Sequence, residues 1–417
     1  MTKMAKLFLL FIILFSSPLA HGAKNVILMI GDGMGVTHVT ATRIYAKKAW
    51  GNLHIDQMPY TAKVKTYAHD DIVTDSASAI TSYAAGKKVN NGTLGMDENA
   101  IFRKKDGRSL VNIADLAKKQ GKSVGVVTTT RVTHATPAGF YAHVNDRDNE
   151  AKIAEQLLSS GLDVAFGGGQ KFFQKEKRKD GKDLIQAFKA KGVQVVTTRS
   201  ELRHLNNLKL GTPVLGLFSD NHMTYMVERK GDQEPLLSEM VRFAIDHLSK
   251  NPNGYFLMVE GGRIDHAAHD NLAKHMFEET LAFDESVAQA LTQVNLADTL
   301  VLVTADHATG GLNINMGASH DKSIFSEAVD EAYPPNVHVP VLSWATGPNG
   351  NADRKPATPL TGSRPYESWQ PAQFAAGWAG HTGEDVTLYA QGVGAEKIHG
   401  TIENTEVFNI MKNSFGF

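Results

Sequence analysis

The chain has 417 residues, 42% hydrophobic and 21% charged, a composition that suits two or three globular domains or one long α/β domain. Its net charge of -1 and pI near 7.0 give no electrostatic case for nucleic acid or an acidic membrane surface. There are no cysteines, which excludes disulfides, zinc–thiolate sites and cysteine nucleophiles and leaves any soft metal to carboxylates and the 17 histidines.

Residues 1–23 read as an export leader. Lys3 and Lys6 precede an apolar run at 7–15, and small residues then lead to a cleavage region around Ala20 to Ala23. That run is too short to span a bilayer. No later segment is long and apolar enough to do so, and 407–417 lacks a lipid-anchor tail. The mature chain is therefore expected to be exported, periplasmic or secreted, with no membrane anchor. Strands are expected at 26–30, 124–128, 164–166, 193–196, 214–218, 255–259 and 299–303, mostly as continuous apolar runs suited to burial on both faces. Helical periodicity fills the intervals. Over 272–291, Met276, Phe283, Val287 and Leu291 share one face. This alternation predicts an α/β fold with a doubly wound, mostly parallel central sheet flanked by helices. The basic run at 171–182, with Lys175, Lys177, Arg178, Lys179 and the turn pair Asp180-Gly181, reads as a solvated loop. Between 312 and 380 the rhythm breaks into a proline- and glycine-rich stretch, expected to be a loop-rich insertion with its own small sheet.

Doubly wound sheets bind ligands beyond the carboxyl ends of their strands, so reactive residues should follow the strands. They do. Asp32, between Gly31 and Gly33, follows the first strand, in a turn that leaves its carboxylate free to bridge ions. Asp75-Ser76 opens a run of small residues. An ordinary helix cap explains the pair, but a serine at a helix N-terminus also favours an alkoxide and a bound phosphate. Glu260 follows the 255–259 strand, and Asp265 and His269 are four apart, on one face of any helix starting there. With His266, these are four ionisable groups at one strand end, and buried charges need partners or metals. Asp306-His307 ends the 299–303 strand, and His381 lies in a further turn. His134, Thr136 and Arg147 follow the 124–128 strand; a surface ion pair would account for Arg147 alone, yet its planar fork suits a phosphate oxyanion. Three histidines, several carboxylates, a serine and an arginine without thiols fit a two-zinc centre with a neighbouring magnesium. No G-x-S-x-G elbow surrounds Ser76, so a serine hydrolase does not fit.

In this order and over nearly the whole mature chain (24–417), these motifs resemble the alkaline phosphatase family. The resemblance implies that Ser76 takes up the phosphoryl group from a small-molecule phosphate monoester and that Arg147 clamps phosphate oxygens. It implies a first zinc on Asp265, His269 and His381, and a second on Asp32, Asp306 and His307. Asp32, Thr136 and Glu260 would hold magnesium. Asp75, His134 and His266 would lie just outside these ligands, and the histidine pair resembles animal-type members more than the enteric bacterial form. Ile80 stands where the family's serine motif usually has a very small residue, a departure expected to affect helix packing only. The 312–380 insertion resembles the crown of dimeric relatives, which implies a homodimer. Histidines 54, 69, 204, 222, 247 and 399 lie in no cluster and read as surface or structural. Two rival readings are a phosphodiesterase or sulfatase of the same superfamily and a non-catalytic exported phosphate-binding protein.

Overall fold

In this computed structural model the described residues are 22–205, 208–315, 323–328, 339–348, 350 and 372–417. Residues 1–21, where most of the expected leader falls and Ala20 with it, lie outside them, as do 316–322, 329–338, 349 and 351–371 of the insertion.

Eight strands come first in chain order: β1 (Asn25–Ile30), β2 (Tyr60–Lys65), β3 (Ser123–Arg131), β4 (Val164–Gly168), β5 (Gln194–Val196), β6 (Val214–Leu217), β7 (Tyr255–Glu260) and β8 (Thr299–Thr304). With Val386–Gly392 and Thr401–Glu403 they form one ten-stranded sheet. Across it the order is Thr401–Glu403, β2, Val386–Gly392, β8, β1, β7, β3, β4, β6, β5. Only Val386–Gly392 runs against its neighbours, so the sheet is mostly parallel, as expected.

Every residue of β1, β7 and β8 is buried, which is why the sequence shows them as unbroken apolar runs. Helices Leu237–Leu248, Ala273–Gln293 and Val36–Lys47 pack together, and Leu237–Leu248 lies on β3 and β7. A second group, Ser76–Ala85, Ile113–Lys119 and Asn404–Phe415, also packs together, and Ile113–Lys119 touches the same two strands. The two groups therefore cover opposite faces, burying the sheet between two helical layers. On the long helix Met276, Phe283 and Val287 are fully buried, and Leu291 packs half-buried against the core.

The winding places the site. From β1 the chain visits β2 on the far side of the sheet, crosses to β3 and β4, reaches β5 at the edge and steps back to β6, then returns to insert β7 beside β1 and add β8 on β1's other side. Ile30 pairs with both Glu260 and Thr304, so these three central strands end at one level. Asp32, Glu260 and Asp306 thus emerge side by side.

The described part of 312–380 contains a three-stranded sheet of Leu312–Ile314, Leu342–Gly347 and Ala372–Ala375, and a short pair, Glu327–Ala328 with Val339–Pro340. The basic run corrects one expectation. Lys175, Lys177 and Lys179 are exposed, but the Arg178 side chain is buried, paired with Glu155 and Asp180 and donating to the carbonyls of Ala151 and Phe172. One cation of the loop is thus a structural pin, because its five donors find acceptors on two neighbouring segments.

Candidate active site

Helix Ser76–Ala85 begins where Asp75 caps it, the Asp75 carboxylate accepting from the Ser78 amide at 2.9 Å. Ser76 is the first helical residue, buried, with its Oγ at the dipole's positive end and 3.2 Å from His307 Nε2. The same Asp75 carboxylate also accepts from the Gly92 amide at 3.0 Å and from Arg147 Nη1 at 2.9 Å. One aspartate therefore holds both the serine's helix and the mostly buried guanidinium. The helix cap is real, and the ion pair is real but mostly buried instead of lying at the surface.

Asp32 lies just past β1, fully buried. Gly33, with φ at +67°, turns so tightly that a Cβ there would stand 2.7 Å from both Asp265 Oδ1 and Thr309 Oγ1. Its amide donates to Asp306 Oδ1 at 3.1 Å, and the His307 amide adds a second bond at 3.0 Å. Glu260 ends β7 itself instead of occupying the following turn. Its Oε2 accepts from Thr128 and Thr130, and Thr136 donates to Asp32 Oδ2 at 3.4 Å. Helix Arg263–His269 brings Asp265 and His269 onto one face, with Asp265 Oδ2 and His269 Nε2 3.1 Å apart.

The tautomers follow from the hydrogen bonds. His269 Nδ1 donates to the carbonyl of Ala379, and His381 Nδ1 donates to that of Thr74 at 2.8 Å. Thr309 gives its hydroxyl proton to Asp265 at 2.5 Å, so it accepts from His307 Nδ1 at 3.3 Å. Each imidazole thus has its Nδ1–H committed, and each Nε2 lone pair points inward. His307 Nε2 faces Ser76 Oγ, Asp306 Oδ2 at 3.2 Å and Asp32 Oδ1 at 3.6 Å. His269 Nε2 lies 3.3 Å from His381 Nε2, and His381 Nε2 lies 3.8 Å from Asp265 Oδ1. Lone pairs facing lone pairs repel, and a single proton satisfies one such contact at a time. A cation satisfies them all.

The carboxylates agree. Asp32 Oδ1, Asp306 Oδ2 and Glu260 Oε1 are buried without a hydrogen-bond partner. Burial, then the charges of Asp306, Asp265 and Glu260, push Asp32 well above the usual carboxylate range. Burial and Asp265 raise Asp306 to about 7, and burial raises Glu260 despite its threonine donors. Burial also works to raise Asp265, but the imidazoles of His269, His381 and His307 outweigh it and hold the group low. Unsatisfied acids packed against imidazole lone pairs are a metal centre's chemistry.

Among the described residues three groups could hold an ion, with ligand atoms within 4.8 Å of one another: Asp265, His269 and His381; Asp32, Asp265 and His307; and Asp32, His134 and Glu260. The second brings Asp265 in where the sequence reading had Asp306, which lies 3.2 Å from His307 Nε2 with its free oxygen. The third places a His134 nitrogen beside Asp32 and Glu260, the region where the sequence reading had Thr136.

One participant was missed. Thr309 orients both His307 and Asp265, and a threonine two residues past Asp306-His307 in the same motif was the available signal. His222, expected to be surface or structural, packs mostly buried against His134 and His266, with ring centroids 5.6 Å and 4.3 Å from theirs. Arg131 reaches His222 and Arg263 donates to His266 at 2.8 Å.

A mostly parallel sheet with candidate metal ligands gathered at the carboxyl ends of its central strands is the arrangement of a metal-dependent enzyme. The family model described as "Alkaline phosphatase" matches residues 23–416, and the chain belongs to that family. It is 35% identical to the tissue-nonspecific alkaline phosphatase of Rattus norvegicus over 93% of this chain and 83% of that protein. The alkaline phosphatase of Gadus morhua is 33% identical over 93% of this chain and 91% of its own length. Among solved structures, the alkaline phosphatase of the Antarctic bacterium TAB5 superposes with a TM-score of 0.74 at 28% identity, covering 95% of this chain and 99% of that one. The Thermus thermophilus enzyme gives 0.75 at 31% identity, covering 95% and 92%. The chain is accordingly a phosphomonoesterase.

Proposed function

We propose that the chain hydrolyses phosphate monoesters by two successive phosphoryl transfers, first to Ser76 and then to water. The observation that carries this reading is the convergence of three imidazole Nε2 lone pairs with unpaired buried carboxylate oxygens beside the Ser76 hydroxyl. Asp265, His269 and His381 would hold one zinc, Asp32, Asp306 and His307 a second, and Asp32, Thr136 and Glu260 a magnesium. When bound, the ions acidify the serine hydroxyl and water and neutralise charge on the phosphoryl oxygens.

The protein supplies orientation. Ser76 presents Oγ from the N-terminus of its helix, where free amide dipoles favour the alkoxide and the phosphate alike. Asp75 holds Arg147 Nη1 and His134 Nε2 lies 3.4 Å from Nη2, so the guanidinium is aimed from two sides and its further N–H groups can reach phosphate oxygens. Ser76 Oγ bonds to phosphorus as the ester oxygen leaves with the electron pair and takes up a proton as the free alcohol. Water then attacks the phosphoserine from the vacated side, releasing inorganic phosphate and restoring the hydroxyl. Two in-line displacements retain configuration at phosphorus. The leader at 1–23 supports export.

The test pairs metal analysis with turnover of a nitrophenyl monoester, in wild type and Ser76→Ala. Wild type is expected to turn over and, after acid quench, to carry one phosphoryl group on the Ser76 peptide. Ser76→Ala is expected to lose about a thousandfold or more in kcat while retaining its metals. Phosphate binding without turnover in metal-loaded wild type would instead favour a binding protein, and faster cleavage of a diester or sulfate would favour the other hydrolases.

A further inference from the structure

From the nucleophile a row of rings leads out to solvent. Ser76 Oγ meets His307 at 3.2 Å, the His307 and His381 rings stack at 3.6 Å, and His381 Nε2 lies 3.3 Å from His269 Nε2. Beyond His269, with ring centroids 4.4 Å apart, sits Trp378. Trp378 is 60% exposed, although indole is among the most costly side chains to leave in water. Its place is well fixed: the next residue, Ala379, donates its amide to the His269 carbonyl at 2.7 Å and accepts from His269 Nδ1. Gly380 accepts from the Gly310 amide at 2.8 Å. These backbone hydrogen bonds thus hold a largely exposed aromatic side chain beside His269. A second apolar side chain, Ile72, is 82% exposed close by in sequence to Thr74, whose carbonyl takes His381 Nδ1–H.

In-line attack by Ser76 expels the ester oxygen on the side of phosphorus away from Ser76. With His307, His381 and His269 following one another outward from Ser76, the group that oxygen carries is taken to run along this row toward the exposed Trp378. We propose that Trp378 is a specificity residue that stacks on the leaving group, giving the enzyme a preference for aryl over alkyl phosphate monoesters. This rests on the Ser76 reading above and adds the class of alcohol to it. Offset stacking on an already ordered indole favours an aromatic group about 3- to 10-fold over an aliphatic one of similar length.

The experiment uses metal-loaded full-length enzyme and two non-hydrolysable probes, benzylphosphonate and propylphosphonate, as competitive inhibitors of glycerol phosphate turnover. Benzylphosphonate is expected to bind about 3- to 10-fold tighter in wild type. Trp378→Ala should bring that ratio near one, and Trp378→Phe should largely restore it. Independently of turnover, benzylphosphonate should quench a tryptophan emission component that is present in wild type and missing in Trp378→Phe, while inorganic phosphate should not. Equal affinities for the two probes in wild type would overturn the proposal. So would an equal loss of both in Trp378→Ala, which would mean that the indole merely props His269. No turnover of glycerol phosphate by metal-loaded wild type would sink the hydrolase reading itself, an outcome distinct from both.

Discussion

On the long helix Ala273–Gln293, Glu279 turns inward and is buried, its Oε1 accepting the Met226 amide at 2.7 Å. Burial lifts its pKa to about 7, more than that amide and the charges of Arg229 and Arg263 pull it down. In the folded protein the group therefore keeps its proton between about pH 4.5 and 7, where the unfolded chain has lost it. Stability from this residue is full below the unfolded pKa and declines as pH rises through the folded one. Glu279→Gln keeps an acceptor for Met226 and removes the titration. Urea unfolding of the two proteins should coincide near pH 5 and diverge by pH 8, with the variant more stable by on the order of 2 kcal/mol. Parallel stability curves would refute this. Such behaviour is illegible in the sequence, where Glu279 stands beside Glu278 in an ordinary helical period. The site's carboxylates were legible because each sits in a motif at a strand end. The commitment of Nδ1 in His269 and His381 was not, because the acceptors at Ala379 and Thr74 are backbone carbonyls with no side-chain signature.

Helix Ser76–Ala85 shows how one element carries chemistry and packing together. Ile80, the departure noted in its motif, is fully buried one turn beyond Ser76. Its bulk is matched by Gly139, where a Cβ would stand 2.6 Å from Ile80 Cγ2. Gly139 has an ordinary helical φ of -59°, so contact with Ile80, not backbone strain, requires the missing side chain. Gly139→Ala is expected to cost about 1–3 kcal/mol by overpacking. In an Ile80→Ala background that cost should largely vanish, which a double-mutant cycle in urea would read. The same penalty in both backgrounds would show that the two side chains do not compete. Strands were legible where burial on both faces makes a continuous apolar run, as in β1, β7 and β8. Three strands on one side of the sheet escaped. β2 alternates, with only Ala62 and Val64 buried, Val386–Gly392 alternates too, and Thr401–Glu403 is a short edge strand. Half-exposed strands lack the unbroken run that marked the others.

At the scale of the whole molecule, the site's residues come from segments that the chain separates by up to 349 positions, Asp32 to His381, and the acids among them repel one another. Without a cation, buried oxygens of Asp32, Glu260 and Asp306 stand unpaired, a cost borne by the central strands that carry them. Bound ions would therefore act as rivets across β7, β1 and β8 and the loops beyond them. Binding to the folded state alone stabilises it by about 2.7 kcal/mol for each site held at a hundred times its Kd, so chelation should lower the Tm and restored metal should raise it in a concentration-dependent way. The loosening should also be uneven. β4, β5 and β6 supply no candidate ligand and sit at the far edge of the sheet. Hydrogen exchange after chelation is expected to accelerate at 31–35, 73–78, 134–147, 260–269, 304–309 and 379–382, while 164–168 and 214–217 keep their protection. Uniform acceleration across the sheet would mean that the fold senses its metals as a single cooperative unit. Local acceleration would mean that the scaffold is built without them and only the reactive rim depends on them, which is the arrangement a sheet with its ligands confined to one end should favour.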